Sequence, residues 1–171
     1  MEIRTERLCL RRFRPEDADD LYAYLSDADV VKFEPYEPFT KEACVQEAIC
    51  RAENPAFIAV EKDGRVIGNL YLGKDEYGGE IGWVFAKDAQ GKGYAAEAAR
   101  ALMEHAFREE GLHRIFAMCD PMNVPSWKLC ERLGMRREAH HLQNVYFSRD
   151  EKGEPIWKDT YVYAILKTEW K

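Results

Sequence analysis

Gln90, Gly91, Lys92, Gly93, Tyr94 and Ala95 join an apolar run, Glu80 to Phe85, directly to an alanine-rich amphipathic stretch that ends near Glu110. Two glycines in such a join allow positive φ and close approach of a ligand, so successive N–H groups can converge on an anion. A helix that starts at Gly93 adds its unpaired amides and the positive end of its dipole. The join reads as a phosphate cradle. It is not a Walker A loop, because Tyr94 and Ala95 follow Gly93 where that loop needs Lys and then Ser or Thr. It is not a dinucleotide fingerprint either, since Ala96 stands where the third glycine is needed.

Working outward, the helix after the cradle places Ala95, Ala98, Leu102 and Ala106 at helical spacing and stops at Gly111. Ile115 to Cys119 reads as the next strand. Strand, helix, strand in that order implies a right-handed crossover and a parallel pair. Before the cradle, Phe57 to Glu61 and Val66 to Leu72 flank the Lys62–Arg65 turn as a hairpin. Leu8 to Phe13 alternates as a half-buried strand, Pro15 opens a helix that the polar Ser26 to Asp29 stretch ends, and Thr40 caps a second helix through about Glu53. Val30 to Phe39 is aromatic and irregular, suited to walling a pocket. Beyond Cys119, Asn123 and Pro125 start a short helix from about Ser126 to Leu133 with Gly134 as terminator. Two long strands, Met135 to Phe147 and Lys158 to Leu166, finish the chain around a polar turn at Asp150 to Gly153. The fold class expected is α+β: a mixed, mostly antiparallel sheet around one central parallel strand–helix–strand unit, flanked by helices.

The 171 residues suit one domain over 1–171, and eight Phe, four Trp and nine Tyr supply material for a core. A net charge of −6 argues against a nucleic-acid binder and hints that a cationic partner is drawn to the surface. No apolar run approaches the ~20 residues of a membrane span, and the charged start lacks a signal-peptide core, so a cytoplasmic, soluble protein is expected. Cys9, Cys44, Cys50, Cys119 and Cys130 form no CxxC pair, which fits buried reduced thiols and no metal site. The four tryptophans are expected in the core or at an interface. His140 and His141 point to opposite faces of a strand, and neither has a metal-ligand partner at suitable spacing.

Gln90, Gly93 and Ala95 also fill the acyl-CoA motif of the GCN5-related N-acetyltransferases (GNAT), which the segment resembles. The resemblance continues along the chain, toward the branch that acetylates N-termini of ribosomal proteins (RimJ/RimL-like). It is carried by Thr5 to Arg7 with Leu8 to Arg11, by Asn123, Pro125 and Ser126, by Leu133 to Met135, and at the end by Asp159, Tyr163, Ile165, Leu166, Glu169 and Trp170. It implies acetyl-CoA as cosubstrate and an amine acceptor, with a protein N-terminal α-amine favoured and a small-molecule amine as the alternative. A non-catalytic acyl-CoA sensor is the rival from another class. No Cys is placed for an acyl-enzyme, so direct transfer in a ternary complex is expected.

By that resemblance, backbone groups of Trp83, Val84, Phe85 and Ala86 pair with the pantetheine arm as an added strand would. Gln90, Gly91, Lys92, Gly93, Tyr94 and Ala95 hold the pyrophosphate, with Lys87 and Lys92 bracketing the loop. Such positioning accounts for a large share of a transfer barrier. Glu80 stands as general base or water-orienting group, or else as a solvated strand carboxylate. An α-amine with a pKa of about 8 needs less help from it than a lysine near 10.4. Ser126 either contacts and protonates the CoA sulfur or merely caps its helix, and Asn123 binds the cosubstrate. Tyrosine, used by many relatives slightly further along that helix, is missing here, and Cys130 occupies the neighbourhood. The aromatic C-terminal strand serves either a homodimer contact or the core.

Overall fold

Alternation of buried and exposed side chains lays most of this chain into one sheet, seen in a computed structural model that describes residues 2–171. In chain order the strands and helices are β1 (Glu2–Arg4), β2 (Cys9–Arg12), α1 (Ala18–Leu25), α2 (Ala28–Val31), α3 (Lys41–Glu53), β3 (Phe57–Lys62), β4 (Arg65–Asp75), β5 (Gly78–Phe85), α4 (Tyr94–Arg108), β6 (Arg114–Cys119), α5 (Val124–Arg132), β7 (Arg136–Arg149) and β8 (Pro155–Leu166). The eight strands lie in the order β1-β2-β3-β4-β5-β6-β8-β7. Neighbours are antiparallel throughout except β5 and β6, which α4 connects in parallel. This is the α+β arrangement expected, and the parallel pair stands where the cradle predicted it.

Local chemistry explains the boundaries. Thr40 Oγ1 accepts from the Ala43 amide at 3.2 Å and opens α3. Gly111, at φ +75, takes the left-handed turn after α4 that a side chain would strain. The inner face of α4 buries Ala98, Leu102 and Ala106 as expected, together with Ala99, Met103 and Phe107, while Ala95 is only partly covered. Ile58, Leu70, Ile81 and Ile115, from adjacent strands, belong to the same core and are almost solvent-free. Beside this core, Arg11 donates to both Asp17 oxygens at 2.9 and 2.8 Å and to Glu61 at 2.6 Å, fixing the start of the first helical segment against β2 and β3.

Several details differ from the sequence reading. β1 is an added edge strand, paired through Ile3 and Leu10. β4 runs on to Asp75, because Gly73 to Asp75 pair with Gly78 to Glu80 although their own side chains are not apolar. The segment Val30 to Phe39 begins inside a short helix, since Asp27 caps α2 by accepting from the Asp29 amide at 2.9 Å. Cys44 is buried but Cys50, on the other side of α3, is exposed, and Cys9 is partly covered. Trp157 stands out into solvent, and Trp83, Trp127 and Trp170 are partly buried against the core.

Candidate active site

β5 and β6 are paired only at Gly79–Ile115 and Glu80–Phe116. Beyond Glu80 the two strands part, and β6 stays with β8 while β5 stays with β4. The Ala86 amide donates to the Ile67 carbonyl at 2.9 Å, continuing the β4–β5 ladder. Hydrogen-bonded pairs alternate along an antiparallel ladder, so Val84 and Gly82 also turn their backbone groups to β4. Trp83 and Phe85 therefore turn theirs to the side that β6 has left. This narrows the expected Trp83 to Ala86 stretch: the Ala86 carbonyl is also engaged, by the Ala89 amide at 2.9 Å.

The open edge leads straight to the glycine loop. Gln90 Nε2 donates to the Phe85 carbonyl at 3.0 Å, so this side chain pins the loop to the strand end. Gly91 and Gly93 have φ of +72 and +81, and Gly93 is the N-cap of α4. Among the described residues, the amides of Gly91 to Ala96 donate to no protein acceptor outside the helix, and the Glu97 amide is the first to close a turn, onto the Gly93 carbonyl at 3.0 Å. Unpaired amides turned by two left-handed residues at a helix start fit an anionic group such as a pyrophosphate. Lys92 is exposed in the loop, whereas the Lys87 charge is met by Asp29 at 2.7 Å.

Arg7 reinforces the outer side of the cradle. Its guanidinium donates to the Lys92 carbonyl at 3.1 Å and to Glu97 at 2.7 Å, and it lies 4.6 Å from the centre of the Tyr94 ring. Burial works against the Glu97 charge, but bonds from Thr5 and Arg7 outweigh it and hold this carboxyl below its usual range. Nothing in sequence spacing exposes this clamp, because its halves are 85 and 90 residues apart. Arg7, in the bend between β1 and β2, is its one trace in the sequence.

On the other side of the gap lies a cavity of about 730 Å³, bounded by β5, β6, α5, the β7–β8 hairpin and the segment between α2 and α3. Glu80, Trp83, Val84, Asn123 and Ser126 all line it, so the structure brings together the predicted chemical groups. Burial raises the Glu80 carboxyl above the ordinary range, and this side chain forms no ion pair among the described residues. Asn123, not Ser126, provides the cap of α5: its Oδ1 accepts from the Ser126 amide at 3.4 Å. Ser126 lines the cavity, and its hydroxyl makes no hydrogen bond to another described residue. Cys130 is fully buried in the core and does not reach the cavity wall. His140 Nε2 lies 2.9 Å from Asp159, while His141 is exposed.

The inner wall holds groups that the sequence reading did not single out. Arg51, 2 % exposed, donates to Glu47 at 2.7 Å and to Asn69 at 2.9 Å, and lies 4.6 Å from the Phe57 ring. Tyr24 donates to the same Asn69 oxygen at 2.9 Å. Glu34 lines the cavity beside Tyr36; burial pushes its carboxyl up to about 7, against a hydrogen bond from Tyr36 and the charge of Arg51. Contacts among α1, α3, β3, β4 and the irregular segment assemble this cluster.

A family profile described as acetyltransferase (GNAT) domain matches residues 7–136. The chain belongs to the GNAT acetyltransferases. It is 40% identical over 177 residues to the uncharacterised N-acetyltransferase YnaD of Bacillus subtilis (strain 168), covering 99% of each chain. The crystal structure of a GNAT-family acetyltransferase from Bacillus anthracis superposes with a TM-score of 0.90 at 36% identity, over 99% of this chain and 100% of that one. The ribosomal-protein-S5-alanine acetyltransferase of Vibrio fischeri shares the fold, with a TM-score of 0.80 at 21% identity over 100% of this chain and 99% of that one. This GNAT chain is an acetyltransferase. Among the described residues, no helix is long and apolar enough to cross a membrane.

Proposed function

We propose that the protein transfers the acetyl group of acetyl-CoA directly to a primary amine held in the cavity. The observation that carries this reading is the unpaired edge of β5, which runs from Glu80 at the cavity to the unpaired amides of Gly91 to Ala96. An extended pantetheine arm pairs there with Trp83 and the Phe85 amide, the pyrophosphate lies on the cradle, and the thioester reaches the cavity. Backbone N–H groups at that edge are also positioned to stabilise a tetrahedral oxyanion.

The amine must lose a proton to attack. Glu80 takes it, directly or through one water, and its raised pKa brings it nearer to the acceptor's own. The nitrogen bonds to the acetyl carbon, the carbon–sulfur bond breaks, and the second proton that the nitrogen sheds is relayed to the departing thiolate through the Ser126 hydroxyl, which gives one proton and takes one. Positioning supplies much of the acceleration. A protein N-terminal α-amine is the acceptor that the RimJ/RimL-like motifs support, since its lower pKa suits a weak base.

Replacing Glu80 with Gln tests the assignment. We expect unchanged acetyl-CoA affinity, a loss of roughly 100-fold in kcat/KM for the amine, and disappearance of the acidic limb of the pH–rate profile. An unaltered profile removes Glu80 from the proton path.

A further inference from the structure

The charges around the cavity do not balance. Arg51 is held by Glu47 at 2.7 Å and Lys158 by Asp120 at 2.8 Å, so both lining cations are spent on lining carboxylates. Asp159 faces His140 at 2.9 Å. Glu34 and Glu80 are left without a basic partner in an ion pair among the described residues, in a space also walled by Phe33, Tyr36 and Phe57. The charge of Arg51 acts on Glu34 but is already shared between Glu47 and Asn69, and Lys32 and Lys158, which lie over the Phe33 ring at 5.0 and 5.6 Å, form no ion pair with Glu34. Removing a carboxylate from water without a counter-charge is unfavourable, and a cation brought against it restores the ionised form. Aromatic faces attract cations as well.

We propose that Glu34 is a specificity-determining residue that binds a second cationic group on the acceptor while the reacting amine lies at Glu80. The inference rests on the transferase reading above and adds a substrate class to it: amines that carry another positive charge along an aliphatic chain. The same chemistry is offered by a free aliphatic diamine and by a peptide whose basic side chain follows its α-amine. Acceptors carrying a carboxylate in that place are rejected, because both lining cations are already neutralised.

The test compares acceptors of matched length and opposite end charge. Initial rates of CoA thiol release from acetyl-CoA are measured with 1,4-diaminobutane, butylamine and 4-aminobutanoate, and with the tripeptides Ser-Lys-Ala and Ser-Leu-Ala as amides. The expected order of kcat/KM is diamine, then butylamine, then aminobutanoate, with at least tenfold between the first two. Preference for the lysine peptide over the leucine peptide with poor use of the diamine identifies the peptide source, and the reverse identifies the free diamine. In Glu34→Gln the diamine-to-butylamine ratio falls toward one, chiefly through KM, and Glu34→Asp recovers part of it. Acetyl-CoA titration of both variants checks that they are folded. Equal use within both pairs by the parent, diamine with butylamine and lysine peptide with leucine peptide, or a preference unchanged in Glu34→Gln, overturns the assignment of Glu34 and leaves the transferase reading standing. Thiol release with none of the five, in a protein that binds acetyl-CoA, overturns both.

Discussion

Gly93→Ala separates the cradle's ligand role from its role in folding. Gly93 has φ +81 and ψ 0, and a Cβ there would lie 3.4 Å from Arg7 Nη2, an ordinary contact. Space is therefore not the obstacle; conformation is. An L-residue held in the left-handed region costs about 1–2 kcal/mol. If the chain instead relaxes to negative φ, the amides at the start of α4 swing away from their common focus. Losing one charge-assisted bond of about 1.5–3 kcal/mol weakens acetyl-CoA binding roughly 10- to 100-fold. Gly153 supplies the control, since it has φ +82 with nothing within 4 Å of a Cβ, in the distant turn between β7 and β8. Thermal melts and acetyl-CoA calorimetry are run on both variants. Each should lose a few degrees of Tm, roughly 2–4 °C per kcal/mol at this size. Only Gly93→Ala should lose affinity. Binding by Gly93→Ala within twofold of the parent, or equal weakening in Gly153→Ala, would refute the cradle argument.

Three further outcomes follow from the same geometry. Arg11→Ala leaves Asp17 and Glu61 without their shared cation, and urea denaturation should show a loss of about 3–5 kcal/mol, with less than 1 kcal/mol contradicting the buried pairing. Ser126→Ala should lower kcat roughly tenfold with acetyl-CoA affinity preserved, because the α5 cap comes from Asn123; an unchanged kcat removes the hydroxyl from thiolate protonation. Burial raises the folded-state pKa of Glu34 from 4.5 to about 7, so its contribution to stability is fully present below 4.5 and is lost as pH rises through 7. Glu34→Gln should therefore gain Tm relative to the parent at pH 8 and show no such gain at pH 4.5. A difference that stays constant with pH contradicts the effect of partial burial on this carboxyl.

What could be read from the sequence was whatever is carried by neighbours in the chain. The cap at Thr40, the stops at Gly111 and Gly134, the Asp150–Gly153 turn and the left-handed glycines before α4 each depend on a few consecutive residues, and each stands where it was expected. β1 and the far end of β4 escaped because three-residue strands and charged strand ends carry too little periodicity. The site divides in the same way. Glu80, Ser126 and Asn123 were identifiable from strand, helix and motif, and they share the cavity. Arg7, Arg51 and Glu34 were not, since their meaning comes from contacts with Glu97, Asn69 and Tyr36 that only the folded sheet creates. Val84 and Ala86 illustrate a finer limit: a strand can be predicted, but which backbone groups face an empty edge depends on the register with β4.

Direct transfer from acetyl-CoA to an amine is tested most directly by initial-rate kinetics with both substrates varied, using the tightest acceptor from the amine and peptide series. Direct transfer gives double-reciprocal lines that intersect, with acetyl-CoA binding measurable by calorimetry before any acceptor is added. Parallel lines, or no binding of acetyl-CoA to the folded protein, would contradict it.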